Sequence, residues 1–287
     1  MPRTDEHPVE RTPLPPLLTA ATASLAAAGV ASPRADAELL AAAVLGVGRG
    51  RLALIDGVRD GEARRFAELV ERRARRIPLQ HLIGTAAFRH LELAVGEGVF
   101  VPRPETELLA GWGIAHTAPG ATVVDLGSGS GAIALSVADE ASPGRVIAVE
   151  RSPAALPWLR RNTAGTAVEV VEGDITDPVV LAALRGAVDV VLCNPPYVPE
   201  GTDVPPEVAE HDPAEAVFGG RDGLAVIRPV VALAAALLRP GGVVGIEHDD
   251  GHALAVPDLL RADGRFTDVA GHDDLSGRPR YATARRV

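Results

Sequence analysis

From about Ala121 onward the chain alternates between short apolar runs and helical stretches. The runs are Ala121 to Leu126, Arg145 to Val149, Val168 to Val171, Val188 to Cys193 and Val243 to Ile246. Between them lie Ala132 to Ala138, Pro153 to Arg161, Pro178 to Leu184 and Ala225 to Leu238. Strands that each need a helical crossover to reach the next build a mostly parallel sheet with helices on both faces, an α/β fold. Arg280 to Arg285 reads as a last strand, returning antiparallel at the edge. In an open sheet of this kind ligands sit beyond the carboxyl ends of the strands, so the residues that follow each run deserve the closest reading.

The run Val188 to Cys193 stops at Asn194-Pro195-Pro196-Tyr197. Proline cannot continue a central ladder, so the chain leaves the sheet there. The turn offers the Asn194 side-chain oxygen and the Pro195 carbonyl as acceptors, with Tyr197 as a flat wall. Together they suit a planar NH2 group, whether of an amide or of a nucleic-acid base. In isolation an Asn-Pro pair is only a strand-ending turn. Its weight comes from what lies upstream.

Val123-Val124-Asp125-Leu126-Gly127-Ser128-Gly129-Ser130-Gly131-Ala132 reads as strand, glycine turn and helix start. Glycines let a backbone approach a ligand closely, although a sharp bend into a helix also favours them. The acids decide the ligand. Asp125 stands just before the glycines, where a carboxylate repels phosphate and suits a cation. Glu150 ends the next strand about 20 residues on, the place from which an acid accepts ribose hydroxyls. Gly173-Asp174-Ile175 follows the third strand, an acid for an adenine amino group beside an apolar contact. Any one of these acids alone is an ordinary loop residue. Placed after successive strands, they point to S-adenosylmethionine.

The first third of the chain has another pattern. Residues 1–13 read as a disordered tail. Residues 14–84 form a small helical bundle, with helices from Leu17, over Ala35 to Val44 behind the Ser32-Pro33 cap, and over Asp60 to Arg76. The last of these carries Arg64, Arg65, Arg72, Arg73, Arg75 and Arg76, either a solvated face or a docking face for an acidic partner. Residues 85–103 read as a β-hairpin linker pairing Phe88 to Val95 with Gly98 to Val101. Val101-Pro102-Arg103-Pro104-Glu105-Thr106-Glu107, with proline at the start and carboxylates in the first turn, then opens a helix toward Trp112, and 104–287 form the larger domain.

At 287 residues the chain is longer than one typical domain, and 47% hydrophobic against 23% charged residues supplies a packed core. A net charge of −10 weighs against gripping nucleic acid by its phosphates. The lone Cys193 excludes an internal disulfide, and the histidines show no metal-ligand spacing, so no metal is expected. Residues 1–11 lack the apolar core of a signal peptide, and no run reaches a membrane span. A cytoplasmic protein, expected to be monomeric, is the resulting reading.

These motifs resemble the class I S-adenosylmethionine-dependent methyltransferases and, more narrowly, the HemK or PrmC family of peptide-chain release factor glutamine methyltransferases. The resemblance runs through Pro78 to Gly84, Val101-Pro102-Arg103-Pro104-Glu105-Thr106-Glu107, the glycine turn, Asn194 to Tyr197, Phe218-Gly219-Gly220-Arg221-Asp222-Gly223-Leu224, and Arg239 to Gly242 before Glu247-His248. It implies a Rossmann-like seven-stranded sheet behind the helical bundle, which becomes a substrate-docking domain. It also implies methylation of the glutamine in the Gly-Gly-Gln loop of class I release factors.

On this resemblance Asp125, Gly127, Ser128, Gly129, Ser130, Gly131, Glu150, Asp174, Ile175 and Asn194 bind the cofactor. Arg103, Asn194, Pro195, Pro196 and Tyr197 hold the substrate, with Asn194, Pro195 and Tyr197 catalytic. Glu150 stands where aspartate is common and Ile175 where a bulkier residue often sits. The segment Asp249-Asp250-Gly251-His252 lacks the glutamine often found there. Other readings are glutamine methylation of a ribosomal protein, amino-methylation of a base, and a protein that senses S-adenosylmethionine without transferring methyl.

Overall fold

A computed structural model describes residues 11–287. The chain divides into two compact units, Met1–Gly84 and Thr85–Val287. Most of the expected tail lies outside the described residues. Its end, β1 (Arg11–Pro13), pairs antiparallel with β2 (Gly57–Arg59).

In the first unit β1 leads into α1 (Leu14–Ala27) and α2 (Pro33–Leu45), and β2 into α3 (Asp60–Ala74) and the short α4 (Leu79–Ile83). Leu14, Leu18 and Leu25 of α1, Leu40 of α2, and Phe66 and Leu69 of α3 meet in one core, spaced three, four or seven apart along α1 and α3 as one buried face requires. The arginines of α3 are largely answered within the unit. Arg65 pairs with Glu68 and Arg75 with Glu71, while Arg73 is buried against Asp36 at 2.7 Å.

The second unit opens with a hairpin, β3 (Thr85–Phe88) and β4 (Leu91–Ala94), shifted from the expected pairing. The turn is Arg89-His90, with no glycine to mark it. Arg89 takes φ +51 and is held there by its N–H on Glu107 and by a two-armed ion pair with Glu140 at 2.6 Å. Phe88 and Leu93 lie in the core of this unit, so the hairpin is part of its body.

The order continues α5 (Thr106–His116), β5 (Thr122–Leu126), α6 (Ala132–Glu140), β6 (Arg145–Glu150), α7 (Leu156–Thr163), β7 (Val168–Glu172) and β8 (Val188–Cys193). Two short helices, α8 (Pro206–His211) and α9 (Ala214–Val217), precede α10 (Ile227–Leu237), β9 (Leu238–Glu247), α11 (Ala255–Asp263), β10 (Phe266–Asp273) and β11 (Pro279–Arg286). The seven strands lie in the order β10-β11-β9-β8-β5-β6-β7, with β10 and β11 antiparallel to their neighbours.

Along β5 the side chains alternate. Val123 joins the core with α5 and α6, whereas Val124 and Leu126 join the core with α10. Each fully buried side chain of this size stabilises by about 1.5–3 kcal/mol. Helix α5 sits unusually close to the sheet. A Cβ on Gly113 would strike Leu192, and one on Gly245 would come within 2.7 Å of Leu109.

Two expectations are corrected. β11 is antiparallel but internal, because β10 lies outside it. β10 shows little apolar alternation, being a mostly exposed edge strand with a bulge at Asp268, φ +53. Pro178 to Leu184 is a turn and one 3₁₀ turn over Ala182–Leu184, since Leu181 at φ +55 interrupts any α-helix. Among the described residues no helix is long and apolar enough to cross a membrane.

Candidate active site

At the carboxyl ends of β5, β6, β7 and β8 lies a cleft open to solvent, where an open α/β sheet places its ligands. Nine of the residues singled out by sequence line it: Gly127, Ser128, Gly129, Ser130, Glu150, Asp174, Ile175, Asn194 and Pro196. Asp125, Gly131, Pro195, Tyr197 and Arg103 are not on that lining.

The glycine turn is shaped by backbone and by one carboxylate. Gly127, Gly129 and Gly131 take φ +77, +55 and +89, a region costly for any residue with a Cβ. Around Gly129 nothing stands within 4 Å of where a Cβ would be, so the main chain is open to close approach. Gly131 serves the fold instead, since a Cβ there would meet Leu159 at 2.8 Å. The Glu150 carboxylate, 8% exposed, accepts the N–H groups of Gly129, Arg151 and Ser152 at 2.7–2.8 Å.

Asp174 accepts from the Thr176 N–H and hydroxyl and from Arg151. Burial opposes its charge, but these bonds outweigh burial and hold its carboxyl below the usual range. Asp125 lies beneath the turn, 1% exposed, its Oδ2 3.2 Å from the Ala134 N–H in the first turn of α6. Burial pushes it up to about 7. It braces the helix start.

The other half of the site is built from side chains. Asn194 follows β8 and lies one step beyond the Cys193–Ile246 pair of β8 and β9, beside Glu247. Its Nδ2 donates to the Thr106 hydroxyl at 3.0 Å, at the first residue of α5. The Tyr197 hydroxyl donates to Glu247 Oε1 at 3.1 Å. Glu247 is 1% exposed, and burial raises its carboxyl to about 7 against the lowering effects of Thr106, Tyr197 and Arg280. Burial likewise raises the Tyr197 hydroxyl. Arg103 lies over the Phe100 ring and pairs with the buried Asp212 at 2.5 Å, tying the Phe100 loop to the residue that ends α8. Phe100, Pro213, Glu215 and Ala216 form that side of the cleft.

Sequence reading quoted Phe218 to Leu224 and the Asp249–His252 loop without assigning them work. The first backs the Asn194–Tyr197 turn through backbone bonds between Val198 and Val217, Gly219 and Val198, and Glu200 and Gly220. A Cβ on Gly219 would lie 2.5 Å from the Pro196 carbonyl, and one on Gly223, φ +71, would strike the Tyr197 carbonyl. His252 Nε2 meets the Asp222 carbonyl at 2.9 Å and fixes this backing loop from behind. Their signal in the sequence was the glycine pair itself.

The cleft fits S-adenosylmethionine. A bare backbone approach, two carboxylates facing the opening and the apolar Ile175 suit a cation, a diol and a purine, and Arg151, the cationic side chain on the wall, is tied to Asp174. Residues 16–84 match the family model described as PrmC N-terminal domain, and 106–212 match the methyltransferase small domain. The chain is 57% identical over 271 residues to the release factor glutamine methyltransferase of Mycolicibacterium smegmatis, covering 94% of this chain and 96% of that one. It is 50% identical over 273 residues to the enzyme of the same name from Streptomyces coelicolor, covering 93% and 96%. Among solved structures, a T. thermophilus 16S rRNA N2 G1207 methyltransferase with AdoMet and guanosine shares the fold, with TM-score 0.50 and 22% identity over 71% of this chain and 50% of that one. With relatives this similar over nearly its whole length, the chain belongs to the release factor glutamine methyltransferases, enzymes that depend on S-adenosylmethionine.

Proposed function

We propose that this protein transfers a methyl group from S-adenosylmethionine to the side-chain amide nitrogen of the glutamine in the Gly-Gly-Gln motif of class I peptide-chain release factors. The observation that carries this reading is Asn194 opening onto the same cleft as the glycine turn and its acids. The bound cofactor supplies a sulfonium methyl that is already electrophilic.

The chain's own residues have the harder task. An amide nitrogen is a weak nucleophile, because its lone pair is shared with the carbonyl. Asn194 Oδ1 and the Pro195 carbonyl accept its two N–H bonds and so orient it toward the methyl. Tyr197 walls the amide plane and is anchored by Glu247. Gly127 to Gly131 receive the cofactor along the backbone, Glu150 its ribose hydroxyls, and Asp174 with Ile175 its purine. Asp125 acts one layer below.

In this reading residues 14–84 are the docking domain and 104–287 catalyse, with 85–103 packed into the body of the catalytic unit, as a cytoplasmic monomer. A base as acceptor is disfavoured because Arg151 is the cation on the cleft wall among the described residues, and it is already paired.

The test is labelled cofactor with release factor, ribosomal protein and nucleic acid offered in turn. Label is expected in the release factor alone and is expected to vanish when the Gly-Gly-Gln glutamine becomes alanine. Label in nucleic acid only would overturn the reading, and label in a ribosomal protein would move it to another glutamine.

A further inference from the structure

We propose that Asn162 is a positioning residue for the cofactor, its amide holding the Ser130 carbonyl of the glycine turn away from the cleft and fastening that turn to β4 of the hairpin. This rests on the reading that Gly127 to Gly131 receive S-adenosylmethionine.

Glycine on either side leaves the Ser130–Gly131 peptide with little steric guidance. Gly129 and Gly131 take φ +55 and +89, and glycine reaches the opposite sign about as readily. Hydrogen bonds must therefore choose the orientation. The Gly129 N–H goes to Glu150, and the Gly131 N–H to the Ser128 carbonyl at 2.7 Å. The oxygen of the peptide between them, on Ser130, accepts from Asn162 Nδ2 at 2.9 Å. Ser130 lines the cleft and Asn162 does not, so the carbonyl is drawn off the side that the cofactor meets. Turned over, this peptide would lose the Asn162 and Ser128 bonds together and bring an oxygen toward the ligand.

The rest of the Asn162 amide is committed to the hairpin. Its Oδ1 accepts the Ala94 N–H at 2.8 Å, and Nδ2 donates to the Ala94 carbonyl at 2.9 Å. Backbone groups have fixed polarity, so these bonds settle which end of the amide is Nδ2. Both of its N–H groups are then used, one on β4 and one on the turn. One turn earlier on α7, Trp158 Nε1 donates to the Glu97 carbonyl at 3.1 Å, and a Cβ on Gly96 would lie 2.5 Å from the Trp158 ring. Residues four apart share a helix face, so one side of α7 holds the chain from Ala94 to Glu97, which runs on to Gly98 and Phe100 on the cleft lining. Trp158 fastens that chain. Asn162 fastens it and reaches the cofactor turn as well.

Asn162→Ala removes all three bonds. It is expected to weaken calorimetric affinity for S-adenosylmethionine about tenfold, the scale of leaving one buried backbone acceptor unpaired, with kcat on release factor at saturating cofactor little changed. Asn162→Asp keeps the shape and the bond from the Ala94 N–H but sets an oxygen against the Ser130 carbonyl, so its affinity should fall further. That variant decides the matter if the alanine one folds poorly. Trp158→Phe loosens the same helix from the hairpin without reaching the turn, and is expected to lower the thermal midpoint and leave cofactor affinity unchanged. Unchanged affinity in N162A or N162D, or an equal loss in W158F, overturns the proposal by leaving Asn162 a fastener of the hairpin alone. Gly129→Val sets a side chain in the open approach to the turn, and normal affinity there would remove the reading on which the proposal rests.

Discussion

The cofactor half and the acceptor half of the cleft share one rim of the sheet but are made of different material. The first is main chain: three glycines in left-handed conformations and a carboxylate that holds three N–H groups. The second is side chain upon side chain, Asn194 to Thr106 and Tyr197 to Glu247. In the proposed reading, a cofactor of fixed shape would be met by backbone, and an acceptor that must be oriented before it reacts by directional side-chain bonds.

The comparison predicts that damage to the acceptor half lowers kcat, while damage to the cofactor half lowers affinity. Asn194→Ala should show the largest effect, a loss of kcat of about 10²-fold or more with the cofactor still bound, by stopped-time methylation assay and calorimetry. Loss of cofactor affinity with kcat intact would erase the distinction. Glu150→Ala should weaken S-adenosylmethionine binding about tenfold or more, the scale of one hydrogen bond to a charged group, and leave kcat at saturating cofactor much less affected.

Tyr197→Phe keeps the ring and drops the bond to Glu247, costing about 0.5–1.5 kcal/mol, read as a few-fold fall in kcat. Tyr197→Ala, which also removes the wall, should cost clearly more. If the two behave alike, the ring contributes nothing to holding the amide.

The remaining effect is on stability rather than on turnover. Burial raises Asp125 to about 7, so between its ordinary value and about 7 the folded state keeps a proton that the unfolded state has lost. This group's contribution therefore falls as pH rises through that window and is level above it. Thermal unfolding of Asp125→Asn should lack that decline, seen as a difference in midpoint between the two proteins that changes from about pH 4 to 7. A constant difference would place the carboxylate in contact with water.

How much was legible follows the same division. The strand, glycine turn and acid that build the cofactor half lie within short stretches, where apolar runs and glycine carry local meaning. Asn194 was legible because two prolines end its strand. Its partner was not, since Thr106 is 88 residues away and Glu247 lies 50 residues beyond Tyr197. Only folding brings them together. The hairpin register was missed because Arg89 supplies a positive φ that sequence habit assigns to glycine, and β10 because an exposed edge strand has no inward face to reveal it. Arg103, which the resemblance assigns to the substrate, pairs with Asp212, 109 residues away, a partner that no local pattern announces.

The staple that Glu150 makes across Gly129, Arg151 and Ser152 has a thermodynamic corollary. A glycine-rich loop left to itself is a reservoir of chain entropy that a ligand must drain on arrival. Here the chain has drained it in advance with its own carboxylate. Cofactor binding should then register a heat-capacity change set by the surface it covers, with little added from segments that order as it binds.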